Sequence, residues 1–199
     1  DGLAGSGKTT LSRMLAEKLG FIHFSTGLVY RALGHLALQQ EVDVEDPEAL
    51  YHLLKSHTIE LGSEDGVSAL ILIDGEGTGE ELQEPRVSEA ASVSSKHPEI
   101  RHALLDLQRQ AFAGRDMVVE GRDVGTVVFP AANVKFFVEA SQEVTIERRL
   151  QQLKGELTLL DQQAVNSLKR EIEIEVIERD KRDSSRKASP TVPAGDAII

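Results

Sequence analysis

The chain has 199 residues, with 33 acidic against 22 basic side chains and a formal charge of −11. It is long enough to bury one core and too acidic to gain general affinity from nucleic-acid phosphates. Without cysteine it has no disulfides, thiolate catalysis or zinc–sulfur sites, and no apolar run reaches membrane-spanning length. With no signal peptide evident either, a soluble intracellular enzyme is expected, and the arginines gathered after Arg101 point to a local anion site on an acidic body.

The first turn, Gly2-Leu3-Ala4-Gly5-Ser6-Gly7-Lys8-Thr9, fits G-x-x-x-x-G-K-[ST]. Glycines let the backbone approach an anion closely, and the helix that follows aims its free N–H groups at the same point. This spacing predicts a nucleoside triphosphate here, with Lys8 on the β/γ-phosphates and the Thr9 hydroxyl on Mg²⁺. Leu11, Leu15 and Leu19 recur at helical spacing and predict a helix from about Lys8 to Leu19. A buried strand ordinarily precedes such a loop. Only Asp1 does so here, so a short preceding strand is expected to be missing from the sequence.

Phe21–Phe24 reads as a short buried strand, and Ser25 or Thr26 as the N-cap of a helix carrying Tyr30 and Arg31. Thr26, Tyr30 and Arg31 share or adjoin one helical face, where they could meet a second ligand; a capping hydroxyl beside a solvated arginine explains them equally well. A turn at Val42–Pro47 leads into a helix to about Lys55. Thr58–Leu61 and Val67–Ile73 are strand-like and flank the turn residues Ser63–Gly66, which predicts a hairpin, and Asp74–Gly79 reads as a loop. Residues 57–82 therefore form a small antiparallel insertion in an otherwise α/β chain.

Helices are expected from Glu84 to about Lys96 and from Pro98 to about Ala113. By position alone, Ser92 and Arg101 read as a surface hydroxyl and a surface cation. Met117–Glu120 is a continuous apolar strand ending in an acid, followed directly by Gly121-Arg122-Asp123-Val124-Gly125-Thr126. In open α/β sheets ligands collect beyond the carboxyl ends of strands, and an arginine between glycines there suits an anion, the other reading being an Arg–Asp pair that simply pins the turn. Val134–Val138 is expected to be another buried strand, Glu143 to about Leu153 a helix, Asp161 to about Asp183 a long charged helix, and Ala197–Ile199 the start of a last strand. The six histidines show no metal-binding spacing.

Together, Gly2–Thr10, Ser25–Arg31, Ala90-Ala91-Ser92, Pro98–Arg101, Glu120–Pro130 and Glu178–Pro190 resemble, in order, the motifs of bacterial-type cytidylate kinases, which are P-loop nucleoside-monophosphate kinases. The Gly121–Pro130 block and the Arg179…Asp183…Arg186 pattern are more specific than the P-loop itself. The resemblance implies a three-layer α/β/α fold with a central parallel sheet. It implies a discontinuous core over residues 1–33, 96–146 and 162–199, a monophosphate-binding part with a β insertion at 34–95, and a lid at 147–161.

It further implies transfer of the γ-phosphoryl of ATP, with Mg²⁺, to CMP or dCMP in a cytoplasmic monomer with no nucleic-acid or membrane partner. The phosphate loop Gly2, Ala4, Gly5, Ser6, Gly7, Lys8, Thr9 and Thr10 takes the donor. Thr26, Arg101, Asp123 and Arg186 take the cytosine, and Ser92, Arg179 and Asp183 the pentose. Arg31 and Arg122, helped by Arg186, take the acceptor phosphate, while Arg148 or Arg149 approaches the group in transfer. Lys8, Arg122, Arg149 and Arg186 are the implied catalytic set. Leu3, Ser25 and Thr145 stand where the family usually carries Pro, Asp and Arg. A small-acceptor kinase acting on AMP, UMP or shikimate is the alternative enzyme. A non-catalytic ATP-dependent switch is the alternative class, with no evident use for the Arg179–Arg186 segment.

Overall fold

A computed structural model describes residues 1–63, 65–152 and 162–199. The helix after the glycine loop runs Lys8–Leu19 (α1) and leads into strand β1, Ile22–Ser25. Strand β5, Met117–Glu120, lies beside β1 in parallel register, Ile22 opposite Met117 and Ser25 opposite Glu120. On the other edge of β1, His23 exchanges backbone hydrogen bonds with Val67 and Ala69, so the insertion docks along the sheet. This mixed α/β arrangement brings the carboxyl ends of β1 and β5 to one side of the sheet, next to the glycine loop.

The insertion is a three-stranded antiparallel sheet of β2 (Ile59–Gly62), β3 (Leu70–Ile73) and β4 (Glu76–Gly77). Asp74–Gly79 is therefore not simply a loop. Asp74 and Gly75 both have positive φ, 53° and 84°, as the tight turn between β3 and β4 requires. An Asp-Gly pair after an apolar run is the sequence signal for that turn.

Helices α2 (Gly27–Gln39), α3 (Pro47–Ser56), α4 (Pro85–Ser94) and α5 (Pro98–Gln110) enclose the main core with the insertion. Leu33, Leu50, Ile71 and Ile100 are fully or almost fully buried in it. Each such side chain contributes about 1.5–3 kcal/mol relative to exposure. α2 and α4 pack at Gly34, where an added Cβ would lie 3.0 Å from the Ala91 nitrogen. Asp46 caps α3 by accepting the N–H groups of Glu48 and Ala49, with Pro47 at the first helical position. Helix α6 covers Gln142–Gln152 and the charged α7 covers Gln162–Ser185, joined through Ile146, Ile172 and Val176. The alternation Ile172-Glu173-Ile174-Glu175-Val176 is thus helical, as its Gly- and Pro-free surroundings suggest.

The helix predicted by Leu11, Leu15 and Leu19 is present, with all three side chains exposed and Lys8 and Ala16 the buried residues of α1. Two expectations need correction. Thr26 precedes α2 without capping it, because its hydroxyl donates to the Glu120 carbonyl at 3.1 Å. Val134–Val138 forms no regular strand, and Val134 and Phe136 are exposed. Its hydrogen bonds go to Asp1 on one side and Ile198 on the other. Where a last strand is expected to start at Ala197–Ile199, Ile198 forms a parallel bridge with Phe136. Of the lid expected at 147–161, residues 147–152 continue α6 and residues 153–161 lie outside the described residues. Among the described residues no helix is long and apolar enough to cross a membrane.

Candidate active site

The glycine loop is built tightly against the strand-like segment that ends at Val138. Gly2 has φ +141°, and a Cβ there would meet the Val138 carbonyl oxygen at 2.2 Å. Gly2→Ala is expected to cost about 1–3 kcal/mol through clash and strain. Thermal unfolding reads this as a fall in Tm of about 2–4 °C per kcal/mol for a chain of this size. The carbonyl of Gly2 accepts from Arg122 Nη1 at 2.9 Å, the N–H of Ala4 donates to Asp180 at 3.1 Å, and the carbonyl of Gly5 accepts from Arg148 at 3.2 Å. Buried Thr145 packs on the loop so closely that a Cβ at Gly5 would lie 2.5 Å from its Cγ2.

Lys8 is buried and its Nζ donates to the Leu3 carbonyl. Burial, and then the neighbouring Arg122, lower its pKa to about 7, with Glu120 and Asp180 opposing the shift. A phosphate placed beside it would restore the full charge. Thr9 Oγ1 donates to Glu120 Oε1 at 2.8 Å. Glu120, buried at the carboxyl end of β5, is legible in sequence only as the acid that closes an apolar strand.

Beyond Glu120 the chain turns through Gly121-Arg122-Asp123 into a π-helical turn, Val124–Val128. Asp1 fixes this turn, its two carboxylate oxygens accepting the N–H groups of Val124 and Gly125 at 2.9 and 2.7 Å. Arg122 reaches from the turn to Asp183 on α7, Nε to Oδ2 at 2.8 Å, while holding the Gly2 carbonyl. Asp123 is buried and ion-paired to Arg101 of α5, which also donates to the Ser95 carbonyl and lies over the Tyr30 ring at 5.4 Å. Arg186 donates to Ser95 Oγ at 3.2 Å. Among the described residues, Arg101 Nε and Arg186 Nε and Nη2 are buried with no hydrogen-bond partner. Burial, and then Arg101, lower the pKa of Arg186.

Ser92 and Arg101 are therefore not a surface pair: they are 6% and 8% exposed, because α4 and α5 turn them inward. Ser92 Oγ accepts from Arg182, which also pairs with Glu89. Arg31 Nη1 donates to the Leu82 carbonyl and to Ser88 Oγ at 2.7 and 2.6 Å. Its pKa falls to about 10 through burial, then the proximity of Arg179, with Arg149 and Arg122 adding to the effect. Ser95 lies outside the motifs named in the sequence, and Arg182 lies within Glu178–Pro190 without a role assigned to it.

One cavity of about 840 Å³ takes in the loop from Ala4 to Thr10 together with Thr26, Arg31, Ser92, Arg101, Arg122, Asp123, Arg149, Arg179, Asp183 and Arg186. Gly2 alone among the expected site residues does not line it; it shapes the loop from behind. Eight cationic side chains face three carboxylates, Glu120, Asp123 and Asp183, across this space. In a chain of net charge −11, that concentration of positive charge selects an anionic ligand. The size lies toward the upper end of the ~300–1,000 Å³ range of ligand clefts. Among the described residues no cluster of three or more His, Cys, Asp or Glu side chains could hold a metal. The Thr9 hydroxyl and the Glu120 carboxylate do present two hard oxygens side by side, which suits Mg²⁺, an ion that takes few protein ligands and completes its shell with water and phosphate.

The family model described as Cytidylate kinase matches residues 1–199. A protein named Cytidylate kinase from Pelotomaculum thermopropionicum is 40% identical over 200 residues, covering 100% of this chain and 85% of the relative. Proteins of the same name from Caldanaerobacter subterraneus subsp. tengcongensis and Enterococcus faecalis are 38% and 39% identical, each again over 100% of this chain and 84% of the relative.

Proposed function

Because this chain belongs to the cytidylate kinase family, we propose that its cleft moves the γ-phosphoryl group of ATP to CMP or dCMP, releasing ADP and CDP or dCDP. The observation that carries the reading is a single cavity bounded at one end by a phosphate-binding loop and at the other by inward-facing guanidinium groups around a buried aspartate. The donor triphosphate lies on the loop, with its N–H groups and Lys8 around the β- and γ-phosphates. Thr9 and Glu120 are the residues that would hold Mg²⁺, which would supply positive charge to the phosphate oxygens.

The acceptor lies across the cleft. Arg31 and Arg122, with Arg186, take its phosphate. Ser92, Arg179 and Asp183 meet the pentose. Thr26, Arg101, Asp123 and Arg186 meet the base. Cytosine carries an exocyclic amine where uracil carries a carbonyl, so the Asp123 carboxylate, an acceptor only, favours cytosine. A monophosphate is already ionised near neutral pH, so its oxygen attacks without a general base. Lys8, Arg122, Arg149 and Arg186 then act by aligning the two phosphates and stabilising charge on the group in flight. Arg31 leaves its Leu82 and Ser88 partners to reach a phosphate, and Arg122 shares its fork among Gly2, Asp183 and the acceptor.

A coupled assay of ADP release decides the matter. We expect turnover with MgATP plus CMP or dCMP, much less with UMP, and none with AMP or shikimate. ATP binding without acceptor-dependent ADP release would instead mark a switch.

A further inference from the structure

Helix α7 reaches the phosphate loop as well as the acceptor end of the cleft. Arg179 and Asp183 line the cavity, and Asp180 between them turns toward the loop, where its Oδ1 accepts the Ala4 N–H at 3.1 Å. This half-buried carboxylate has no part in the roles given above. Burial raises its pKa, while the Ala4 N–H, Arg122 and Lys8 favour its ionised form. Among the described residues, Ala4 has the only N–H between Gly2 and Gly7 that a side chain holds. The other anchors of the loop act on its carbonyls: Arg122 on Gly2, Lys8 on Leu3, Arg148 on Gly5.

We propose that Asp180 is a positioning residue for the donor: by accepting the Ala4 N–H it fixes the glycine loop against α7 in its anion-binding shape before the triphosphate arrives. The inference rests on reading the loop as a kinase donor site. A loop with glycines at 5 and 7 has many conformations to lose, and a fixed point next to them removes part of that ordering cost from binding. The charge of Asp180 cannot be what helps, because a carboxylate beside a polyphosphate repels it. What remains is the geometry of the hydrogen bond, and that assigns different outcomes to two substitutions. An amide of the same shape still accepts the Ala4 N–H and drops the repulsion, whereas a methyl group does not accept at all. Since α7 also carries Arg179 and Asp183, the same contact sets the donor loop in register with the acceptor groups.

The test is calorimetric titration of MgATP, without acceptor, into the wild-type chain and into Asp180→Ala and Asp180→Asn. The Ala variant is expected to bind about five- to tenfold more weakly, the loss of one hydrogen bond to a charged acceptor partly offset by relief of the repulsion. The Asn variant should match the wild type within about twofold, and titration with CMP should change less than about twofold in either. The proposal is overturned if the Ala variant binds MgATP as the wild type does, if the Asn variant is as weak as the Ala variant, or if CMP affinity falls in step. Ala favours helix, so α7 should tolerate it. Should it melt early, Asp180→Gln, whose longer stem displaces the amide, replaces it in the comparison with Asn. No turnover is needed, so failure of the kinase reading shows separately, as wild-type protein that releases no ADP with CMP.

Discussion

Asp123→Ala is expected to destabilise the protein by about 3–5 kcal/mol and to remove most of its activity toward cytosine nucleotides. Asp123 and Arg101 are ion-paired with side chains 6% and 9% exposed. Taking away the carboxylate leaves a guanidinium enclosed by Tyr30 and the Ser95 carbonyl, with a buried Nε that already has no hydrogen-bond partner. Water cannot easily compensate that charge, and breaking a buried pair costs more than the pair itself contributes. Asp123→Asn keeps the shape and the accepting oxygen but not the charge, so its loss of stability should be smaller. The kinetic consequence separates structure from recognition. In a comparison of CMP, dCMP and UMP, both cytosine substrates should lose kcat/KM together, and the preference for CMP over UMP should shrink. An equal loss on all three bases, with the preference intact, would make Asp123 a structural partner of Arg101 and nothing more. Thermal melts of both variants, run beside the assays, give the stability term independently.

The parts of the fold that are legible in the amino-acid sequence are those fixed by local chemistry. The glycine loop and α1 follow from one motif and one helical spacing, and α7 from a long charged stretch with no breaker. Burial is not legible where it depends on which helix turns toward which. Arg101 and Ser92 look like solvent-facing residues until α4 and α5 pack their polar faces around a cavity instead of a core. The reverse holds for Leu11, Leu15 and Leu19, an apolar row that helical spacing turns inward and that the fold leaves exposed. Glu120 shows how a site residue escapes notice. Nothing distinguishes it from any acid that ends a strand until the fold brings the Thr9 hydroxyl to 2.8 Å from its carboxylate. The resemblance to the kinase family locates most of the cavity lining residue by residue. It is silent on Ser95, Arg182 and Asp180, which act on other protein groups.

Arg122→Ala is expected to lower kcat/KM by ~10³-fold with CMP as acceptor, the scale found when a positioned arginine is removed from phosphoryl transfer. Two losses combine in it. The guanidinium joins the Gly2 carbonyl of the donor loop to Asp183 of the acceptor helix, so without it the two halves of the cleft lose a direct tie. Asp183 keeps Arg186 at 3.8 Å, but in a longer contact that leaves the Gly2 carbonyl without its donor. The second loss is electrostatic: charge on the transferring group is no longer met from the acceptor side. If alignment and charge both count, kcat should fall along with a rise in KM for CMP, while KM for ATP changes less because Lys8 and the loop N–H groups remain. Arg122→Lys should recover little, since one ammonium cannot bridge Gly2 and Asp183 and still meet a phosphate. Arg31→Ala provides the contrast. Its Nη1 is bonded to Leu82 and Ser88, so part of what it offers a phosphate is offset by breaking those bonds. Its loss should be the smaller of the two and fall mainly on KM. Steady-state kinetics of the three variants over both substrates would show this ordering. A loss below about tenfold for Arg122→Ala, or full recovery with lysine, would mean that the bridge across the cleft is a structural tie without a share in transfer.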